Sequence, residues 1–366
     1  MINVYLLIFL IFANTMKNKK EIAVFVSSGI GNAVMLVPVM RLAQKQWRRV
    51  TIILNSPFIS PEFLKFNNFP ADEIIDLRKK NHFSFTINNI NRFDEAYLDY
   101  SSSSIKNMFL ASFISKKAFV YRKNKIQIPG IDFLPLLVNT HATVLHAKMI
   151  NDSINEENFQ LELMQLKSHG RIPAIIKEIR NTAKKIITIQ MSSGNNKTKF
   201  KDWPVDYWID FLNRLLLKYP DFGIILLGDE NEVHLGNQVL KKIKNNRLIS
   251  MIGKTTLREA GDILYNSDLY IGLDSGFMHL AVAYDIPTLT ILGASNEQFI
   301  GYHKFNPKKH FVINKDLSCR PCHGWIGTNT SRVTNPYNCP DFKCLNDLLP
   351  EEVFNKFEDF ISNISV

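Results

Sequence analysis

The sequence predicts an α/β protein built from two doubly wound, parallel-sheet domains that face a central cleft. Short apolar runs typical of buried strands alternate with helical stretches through most of the chain. The chain has 366 residues, of which 46% are hydrophobic and 21% charged, and is longer than one domain usually runs. Alternating strands and helices form parallel sheets through right-handed crossovers, and ligands of such sheets bind beyond the carboxyl ends of the strands.

The first domain is predicted over residues 16–165. An apolar strand, a glycine-containing turn, a helical stretch from Ala33 to Gln46 and a second apolar strand form a βαβ unit. Further short apolar segments follow, separated by polar or helical stretches. The strands of this domain are predicted at 22–26, 50–54, 73–77, 95–100 and 118–121.

The second domain is predicted over residues 166–350, with a helix in the C-terminal segment 351–366. It repeats the alternation of strands and helices. Its strands are predicted at 185–190, 222–228, 248–253, 268–274 and 287–293, and its helices at 205–218, 232–244, 256–266 and 276–284.

The first fifteen residues, MINVYLLIFLIFANT, contain an apolar run that is shorter than the ~20 residues needed to span a bilayer. The lysines that flank this run follow it, whereas a signal peptide carries its positive charge before the run. We therefore predict that residues 1–15 are an extension outside the fold and that Met16 is the true start. A weak interfacial anchor is the alternative.

The formal net charge of +10 is uneven along the chain. Residues 1–170 contain 20 Lys and Arg against 13 Asp and Glu, and residues 171–366 contain 24 against 21. A basic half suits nucleic acid, an anionic membrane surface or a phosphorylated substrate, although scattered solubilising lysines would give the same total. The sequence has no helix-turn-helix, zinc-finger or aromatic RNA-binding signature, so we expect no nucleic-acid partner.

One motif, Asp274-Ser275-Gly276-Phe277-Met278-His279, takes a strand that ends in a carboxylate into a helix. The first-turn N–H groups of such a helix lack partners within the helix and favour anions. Gly276 lets the backbone approach a phosphate, and Ser275 can add a hydroxyl donor. Asp274 could hold sugar hydroxyls, and the ring of His279 could face the same ligand. The alternative is an ordinary helix N-cap with a buried histidine.

Two further motifs follow strands of the same domain. Ser192 and Ser193, followed by Lys201 in Lys-Asp-Trp-Pro, offer compact donors to a diphosphate, unless the Trp-Pro pair only packs a helix start. Gly228-Asp229-Glu230-Asn231-Glu232 places carboxylates at a strand end, where they can hold ribose hydroxyls. Acidic helix starts are also common without a ligand.

Taken together, the motifs resemble those of glycosyltransferase family 9, the heptosyltransferases, in order and spacing over nearly the whole chain from Glu21. The matching segments are Ser27-Ser28-Gly29-Ile30-Gly31-Asn32 through Pro38, Lys-x-Trp-Pro at 201–204, Gly-x-x-x-Glu at 228–232 and Asp-Ser-Gly-x-x-His at 274–279.

The resemblance implies a GT-B fold and an inverting, metal-independent transfer of heptose from ADP-heptose to a lipopolysaccharide inner-core sugar, with no cofactor required. It implies that the second domain binds the nucleotide sugar. Ser192, Ser193, Lys201 and the backbone at Ser275 and Gly276 would then hold the diphosphate. Glu232 would lie near the nucleoside, Asp274 would contact the sugar, and His279 would support its loop. Gly29 and Gly31 would belong to the acceptor-side loop.

One position departs from the family pattern. The family usually has Gly-Asp where this chain has Gly31-Asn32, and a neutral amide cannot act as the base that takes the acceptor proton. Asp99 is a candidate substitute, although an aspartate at a strand end can be purely structural. The departure leaves open a sugar-nucleotide-binding protein with weak or no catalysis, and a GT-B transferase for a different donor sugar.

All four cysteines lie near the C-terminus, as Cys319-x2-Cys322 and Cys339-x4-Cys344. Four thiols at these spacings could bind zinc, but similar elements occur in some family 9 sequences without an assignable catalytic role, so we give the metal no part in catalysis. From the charge and the resemblance we expect a cytoplasmic protein, with possible peripheral contact to the inner membrane and an anionic, lipid-linked glycan as acceptor.

Overall fold

The computed structural model describes residues 20–46, 48–121, 127–137, 139–170, 172–194, 200–322 and 336–364. The predicted extension at residues 1–15 lies outside these ranges. The chain divides into two compact units: the first comprises the chain up to Pro61, Phe69–Leu136 and Leu145–Ile154, and the second comprises Glu62–Asn68, Leu137–Val144 and the chain from Asn155. Each unit contains one six-stranded sheet, and the predicted division after residue 165 stays a prediction.

The first sheet is wholly parallel and has the order β3-β2-β1-β4-β5-β6. Its strands are β1 (Glu21–Val26), β2 (Arg49–Leu54), β3 (Glu73–Asp76), β4 (Phe93–Leu98), β5 (Ser115–Tyr121) and β6 (Ile131–Leu134). β6, a short and incompletely buried edge strand, was not predicted. β4 ends at Leu98, so Asp99 follows the strand in which it was predicted to lie.

The helices up to residue 148 are α1 (Ile30–Met35), α2 (Val37–Lys45), α3 (Pro61–Phe66), α4 (His82–Asn88), α5 (Ile105–Ile114) and α6 (Ala142–Lys148), with a 3-10 turn at Leu77–Lys79. The stretch predicted to be helical from Ala33 to Gln46 is therefore helical, but it forms two helices instead of one. It is broken at Leu36, and Pro38 lies in the first turn of α2. Proline lacks an N–H, so it fits a first turn but not a helix interior.

The second sheet is also wholly parallel, in the order β12-β11-β10-β7-β8-β9. Its strands are β7 (Lys185–Gln190), β8 (Phe222–Leu227), β9 (Leu248–Ser250), β10 (Leu269–Leu273), β11 (Thr288–Leu292) and β12 (His310–Asn314). β12 was not predicted, because this edge strand alternates buried and half-buried positions and has polar residues at both ends.

The remaining helices are α7 (Ala174–Ile179), α8 (Val205–Lys218), α9 (Val233–Lys242), α10 (Leu257–Tyr265), α11 (Gly276–Ala283), α12 (Glu297–Ile300), α13 (Lys343–Asn346) and α14 (Pro350–Asn363). The described residues of this part also include 3-10 turns at Leu161–Met164, Glu230–Glu232, Tyr302–Lys304 and Pro336–Asn338. The C-terminal helix packs on α8 through aromatic rings, with Phe357 and Phe354 centred 5.8 and 6.1 Å from Phe211.

Both sheets have the same doubly wound order, which confirms the predicted fold class. The order reverses between β1 and β4 in the first sheet and between β7 and β10 in the second. We call the carboxyl ends of β1 and β4 the first switch point, and those of β7 and β10 the second. Ligands of doubly wound sheets bind at such points. No helix within the described ranges has the length and apolar character needed to cross a bilayer.

Candidate active site

A buried ion pair lies at the second switch point. Lys201 Nζ is 2.7 Å from Asp274 Oδ2, and only 10% and 12% of the two side chains are exposed. Ser295 Oγ donates to the same carboxylate oxygen at 2.6 Å. Burial by itself would raise the pKa of Asp274, but the charge of Lys201 and the hydrogen bonds lower this pKa to about 2. Asp274 is therefore charged at neutral pH and holds the ammonium group of Lys201 beside the turn that leads into α11.

The start of α11 offers backbone donors. Ser275 is the N-cap, and its side chain makes no capping hydrogen bond to the helix. Its hydroxyl instead donates to Gln190 Oε1 at 2.6 Å and lies 3.1 Å from the hydroxyl of Tyr270. The first-turn N–H groups, which begin at Gly276, are thus not capped by this serine, and an anion can meet them. Ser275 can contribute its backbone here, while its hydroxyl holds the turn to the end of β7.

His279 lies in the first turn of α11 and is only 3% exposed. Its Nδ1 is 2.8 Å from the hydroxyl of Tyr302. Burial lowers the pKa of His279 to about 4, although the charge of Asp274 opposes this shift. The ring is therefore neutral at pH 7 and supplies no positive charge. Its contact fits the role of supporting the loop.

Ser192 and Ser193 follow β7 and share one carboxylate. The backbone N–H of Ser193 donates to Asp202 Oδ1 at 3.1 Å, and the two hydroxyls lie 3.4 and 3.3 Å from the Asp202 oxygens. Burial raises the pKa of Asp202, against the lowering effect of these hydrogen bonds. The structure thus brings together both predicted serines and an acid that the sequence analysis passed over, although it is the neighbour of Lys201.

Glu232 is 2% exposed at the carboxyl end of β8. Its carboxylate oxygens accept hydrogen bonds from the backbone of Asp229 and of Gly194, both at 3.1 Å. Burial raises its pKa to about 7. A Cβ atom at Gly228 would lie 2.2 Å from Glu232 Oε2, so the end of β8 needs a glycine to admit this side chain. Close to neutral pH, the carboxyl group can both donate and accept hydrogen bonds.

A chain of hydrogen bonds runs across the first switch point. Tyr100 donates to Asn32 Oδ1 at 3.1 Å, and Asn32 Nδ2 donates to Ser28 Oγ at 2.8 Å. Ser28 Oγ is 2.6 Å from Ser101 Oγ, which donates to Asp99 Oδ2 at 2.5 Å. The structure therefore joins Asn32, at the position of the family's base, to Asp99, the candidate substitute base, through two serines that were not predicted to take part.

Asp99 is fully buried, and its other oxygen accepts a hydrogen bond from the backbone of Ser102 at 2.7 Å. His146 lies near it without having been predicted. Its Nδ1 is 3.0 Å from the carbonyl oxygen of Met35, so this nitrogen carries the proton, and the buried Nε2 has no hydrogen-bond partner among the residues that the structure describes. Burial lowers the pKa of His146, although the charge of Asp99 opposes the shift. The imidazole is therefore neutral.

The glycines of the first loop differ in setting. Gly29 caps α1 with φ −70°, and a Cβ there would meet nothing within 4 Å. Gly31 is buried inside α1. The backbone at Gly29 is therefore not covered by any of the residues that the structure describes.

The four cysteines are free thiols. Burial raises the pKa of Cys344 to about 12, with a smaller contribution from the nearby Cys322. Cys339 Sγ accepts a hydrogen bond from the backbone of Phe342 at 3.3 Å. Across the ranges that the structure describes, no three His, Cys, Asp or Glu side chains are arranged to hold a metal ion. The zinc hypothesis thus gains no support from this arrangement.

Known proteins match this chain over nearly its whole length. Lipooligosaccharide heptosyltransferase 2 of Campylobacter jejuni is 22% identical over 351 residues, which cover 94% of this chain and 99% of that protein. The structure of E. coli ADP-heptose lipopolysaccharide heptosyltransferase II superimposes with a TM-score of 0.65 at 16% identity, covering 93% of this chain and 98% of that one. A glycosyltransferase family 9 structure from Veillonella parvula gives a TM-score of 0.69 at 16% identity, covering 94% and 98%.

Residues 105–327, more than half of the chain, match glycosyltransferase family 9 (heptosyltransferase). The chain belongs to glycosyltransferase family 9. This membership confirms the resemblance and the prediction of a transferase. The matched segment contains the second switch point entirely, whereas Ser28, Asn32 and Asp99 lie before it.

Proposed function

We propose that this family 9 glycosyltransferase transfers heptose from ADP-heptose to an inner-core sugar of lipopolysaccharide or lipooligosaccharide, with inversion and without a metal ion. The family membership and the names of the similar proteins support the donor and the acceptor class. The observation that carries the proposal is the buried Lys201–Asp274 pair beside the start of α11, where the capping hydroxyl is turned away from the helix.

The second unit binds the donor in this account. A diphosphate that meets the first-turn N–H groups of α11 would draw on Lys201 and on the hydroxyls of Ser192 and Ser193. N–H groups, hydroxyls and an ammonium group placed in this way stabilise the negative charge that develops on ADP as it leaves. Glu232 would hold the ribose hydroxyls, because its carboxyl can accept or donate near neutral pH. Asp274 would contact the heptose.

The hydrogen bonds of the first unit suggest how the acceptor loses its proton. Ser101 uses its hydrogen toward Asp99, so Ser28 must be the donor between the two serines. Ser28 also receives a hydrogen from Asn32, and its oxygen has capacity to accept one more. Each hydrogen bond in the series from Asn32 through Ser28 and Ser101 is thus donated in the direction of Asp99. The arrangement suits a relay that ends on a buried carboxylate.

In the proposed step, the acceptor oxygen forms a bond to the anomeric carbon while the bond from that carbon to the diphosphate breaks. The electron pair of the broken bond leaves with ADP. The acceptor proton passes to Ser28, the Ser28 proton to Ser101, and the Ser101 proton to Asp99. Asn32 stays neutral and orients Ser28. General-base assistance of this kind contributes about 10²–10⁴-fold in rate.

We place the protein in the cytoplasm, with a lipid-linked glycan as acceptor. The basic character of the first 170 residues favours an acceptor that is anionic.

A nucleotide-sugar-binding protein without turnover is the second candidate, because an amide stands at the position of the family's base. The relay through Ser28 and Ser101 argues against it.

The test is a transfer assay with the full chain, ADP-heptose and a lipopolysaccharide inner-core oligosaccharide, in the presence of a chelator. We expect release of ADP that depends on the acceptor, and a product heavier by one heptose in mass spectrometry. ADP-heptose that binds but is never consumed would favour the second candidate. Transfer from UDP-sugars only would overturn the proposed donor.

A further inference from the structure

Two helices of the first unit expose large apolar side chains to solvent. These side chains recur about once per helical turn along α4 and the turn that follows it, and again along α5. Each of them is between 48% and 76% exposed. We call them the apolar stripes: Phe83, Ile87 and Ile90 on the first helix and its following turn, and Ile105, Phe109 and Phe113 on the second. Soluble proteins rarely leave so many large apolar side chains uncovered on adjoining elements.

The two helices run side by side in the same direction. At their C-terminal ends, the backbone N–H of Asn91 donates to the carbonyl oxygen of Phe113 at 3.0 Å. At their N-terminal ends, the pKa of His82 is lowered by burial and by the charge of Lys106. Their inner faces already fill the core of the unit, for example through Phe85 and Met108. The stripes are therefore additional to the core and form one surface.

The charged residues within α4, α5 and the turns next to them are all basic. Residues 77–93 and 100–115 contain no Asp or Glu. Three lysines are exposed at the N-terminal ends of the helices: Lys79 and Lys80 just before α4, and Lys106 in α5. None of them belongs to an ion pair among the described residues. We call these three lysines the basic end. Arg78, next to them, is paired with Asp76.

We propose that the apolar stripes and the basic end dock this protein onto the surface of an anionic lipid bilayer. Apolar side chains on a helix that lies in the membrane plane enter the boundary between headgroups and acyl chains, while lysines meet the anionic headgroups. The absence of carboxylates matches a negative surface and gives no complementarity to a second copy of the same patch.

The docking surface adjoins the first switch point. Asn107, in the first turn of α5, donates through Nδ2 to Ser27 Oγ at 3.0 Å and to the carbonyl oxygen of Ser102 at 2.9 Å. The helix that would meet the membrane therefore holds both loops that carry the relay. Delivery of a lipid-linked acceptor to these loops rests on the proposed function, whereas membrane docking itself does not.

The test is sedimentation of the full chain with vesicles that contain phosphatidylglycerol, compared with vesicles of phosphatidylcholine alone. We expect binding that requires the anionic lipid. Phe109→Ser combined with Phe113→Ser should weaken it about tenfold or more. Lys79→Gln, Lys80→Gln and Lys106→Gln together should weaken it on the order of a hundredfold, since each lysine near an anionic surface contributes about fivefold.

Matched controls remove similar groups elsewhere: Leu217→Ser, at 85% exposure, for the apolar residues, and Lys241→Gln with Lys242→Gln for the charge. These controls should bind vesicles as the unchanged protein does. All variants should keep kcat/KM toward a water-soluble, deacylated acceptor, and the stripe and lysine variants should lose activity only toward acceptor embedded in vesicles.

Equal loss in controls and test variants would overturn the proposal, as would vesicle binding that none of the substitutions changes. A dimer in analytical ultracentrifugation that Phe109→Ser and Phe113→Ser convert to monomer, with vesicle binding intact, would assign the surface to a second copy instead. Because vesicle binding needs no substrate, loss of the proposed transferase activity would leave this test unaffected.

Discussion

The two switch points have the same topology and opposite chemistry. The second carries a buried ion pair, Lys201 with Asp274, and the buried carboxyl group of Glu232 at the end of the neighbouring strand. The first carries hydroxyl and amide groups around one buried carboxylate, Asp99, at the end of its hydrogen-bonded chain. Fixed charge suits the stabilisation of a diphosphate, whereas a chain of neutral groups suits the passage of a proton. One sheet order therefore supports two different tasks through the residues at its strand ends.

Among the substitutions at the two switch points, Lys201→Met should have the largest effect on stability and on ADP binding. It leaves the Asp274 charge buried without its partner, so we expect the free energy of unfolding to fall by about 3–5 kcal/mol. ADP affinity should fall about a hundredfold because the diphosphate loses a cation. Denaturant unfolding and calorimetric titration measure the two effects, and Lys241→Met on exposed α9 is the control.

Adding Asp274→Asn to Lys201→Met separates stability from binding. The double variant should regain most of the stability, since no charge is then buried alone, but not the ADP affinity. Wild-type affinity in the double variant would reduce the pair to a structural role.

At the first switch point, Asp99→Asn should lower the rate of catalysis without changing donor binding. We expect kcat to fall about 10²–10⁴-fold while ADP affinity is unchanged, because the relay loses its proton acceptor. Ser101→Ala should also lower kcat, whereas Ser112→Ala, on the exposed side of α5, should not.

Asn32→Asp in the Asp99→Asn background tests the relay directly. The new carboxylate would accept the proton beside Ser28, so part of the lost kcat should return. No recovery, together with normal kcat in Ser101→Ala, would contradict the role of the chain.

Glu232 predicts a pH dependence of stability. Its pKa is about 7 in the folded protein against an ordinary value of 4.5, so the folded state holds the proton more tightly. Its contribution to stability is present in full below pH 4.5 and is lost as the pH rises to about 7, by about 3 kcal/mol. Unfolding at pH 5 and pH 8 should show a smaller decrease for Glu232→Gln than for the unchanged protein. Equal decreases would show that another group titrates.

The smallest effect is expected for Ser275→Ala. Gln190 keeps a hydrogen bond from Tyr270 at 3.3 Å, so the loss should be about 1 kcal/mol of unfolding free energy. ADP affinity should change less than about threefold, because the backbone and not the hydroxyl faces the anion. A tenfold loss of ADP affinity at unchanged stability would show instead that the Ser275 hydroxyl contacts the ligand.

The sequence was sufficient where one short segment contains both the residue and its setting. Strand-ending motifs placed Glu232 and Asp274 after the carboxyl ends of parallel strands, because local patterns determine where those strands end. Pro38 also signalled the break before α2, although the sequence analysis did not use it.

Contacts between distant segments could not be predicted. Ser28 meets Ser101 across 73 residues of sequence, and Ser295 meets Asp274 across 21. Only folding of the sheet brings these hydroxyls to the carboxylates. A run of four serines after β4, residues 101–104, was a local signal of the first switch point that could also have been used.

Calorimetric titration of the full chain with ADP and with UDP, in a chelator, tests the central assignment of an ADP-sugar donor to the second unit most directly. We expect ADP to bind without metal and more tightly than UDP, and we expect Lys201→Met to weaken this binding about a hundredfold while Asp99→Asn leaves it unchanged. Preference for UDP, or unchanged ADP affinity in Lys201→Met, would contradict this assignment.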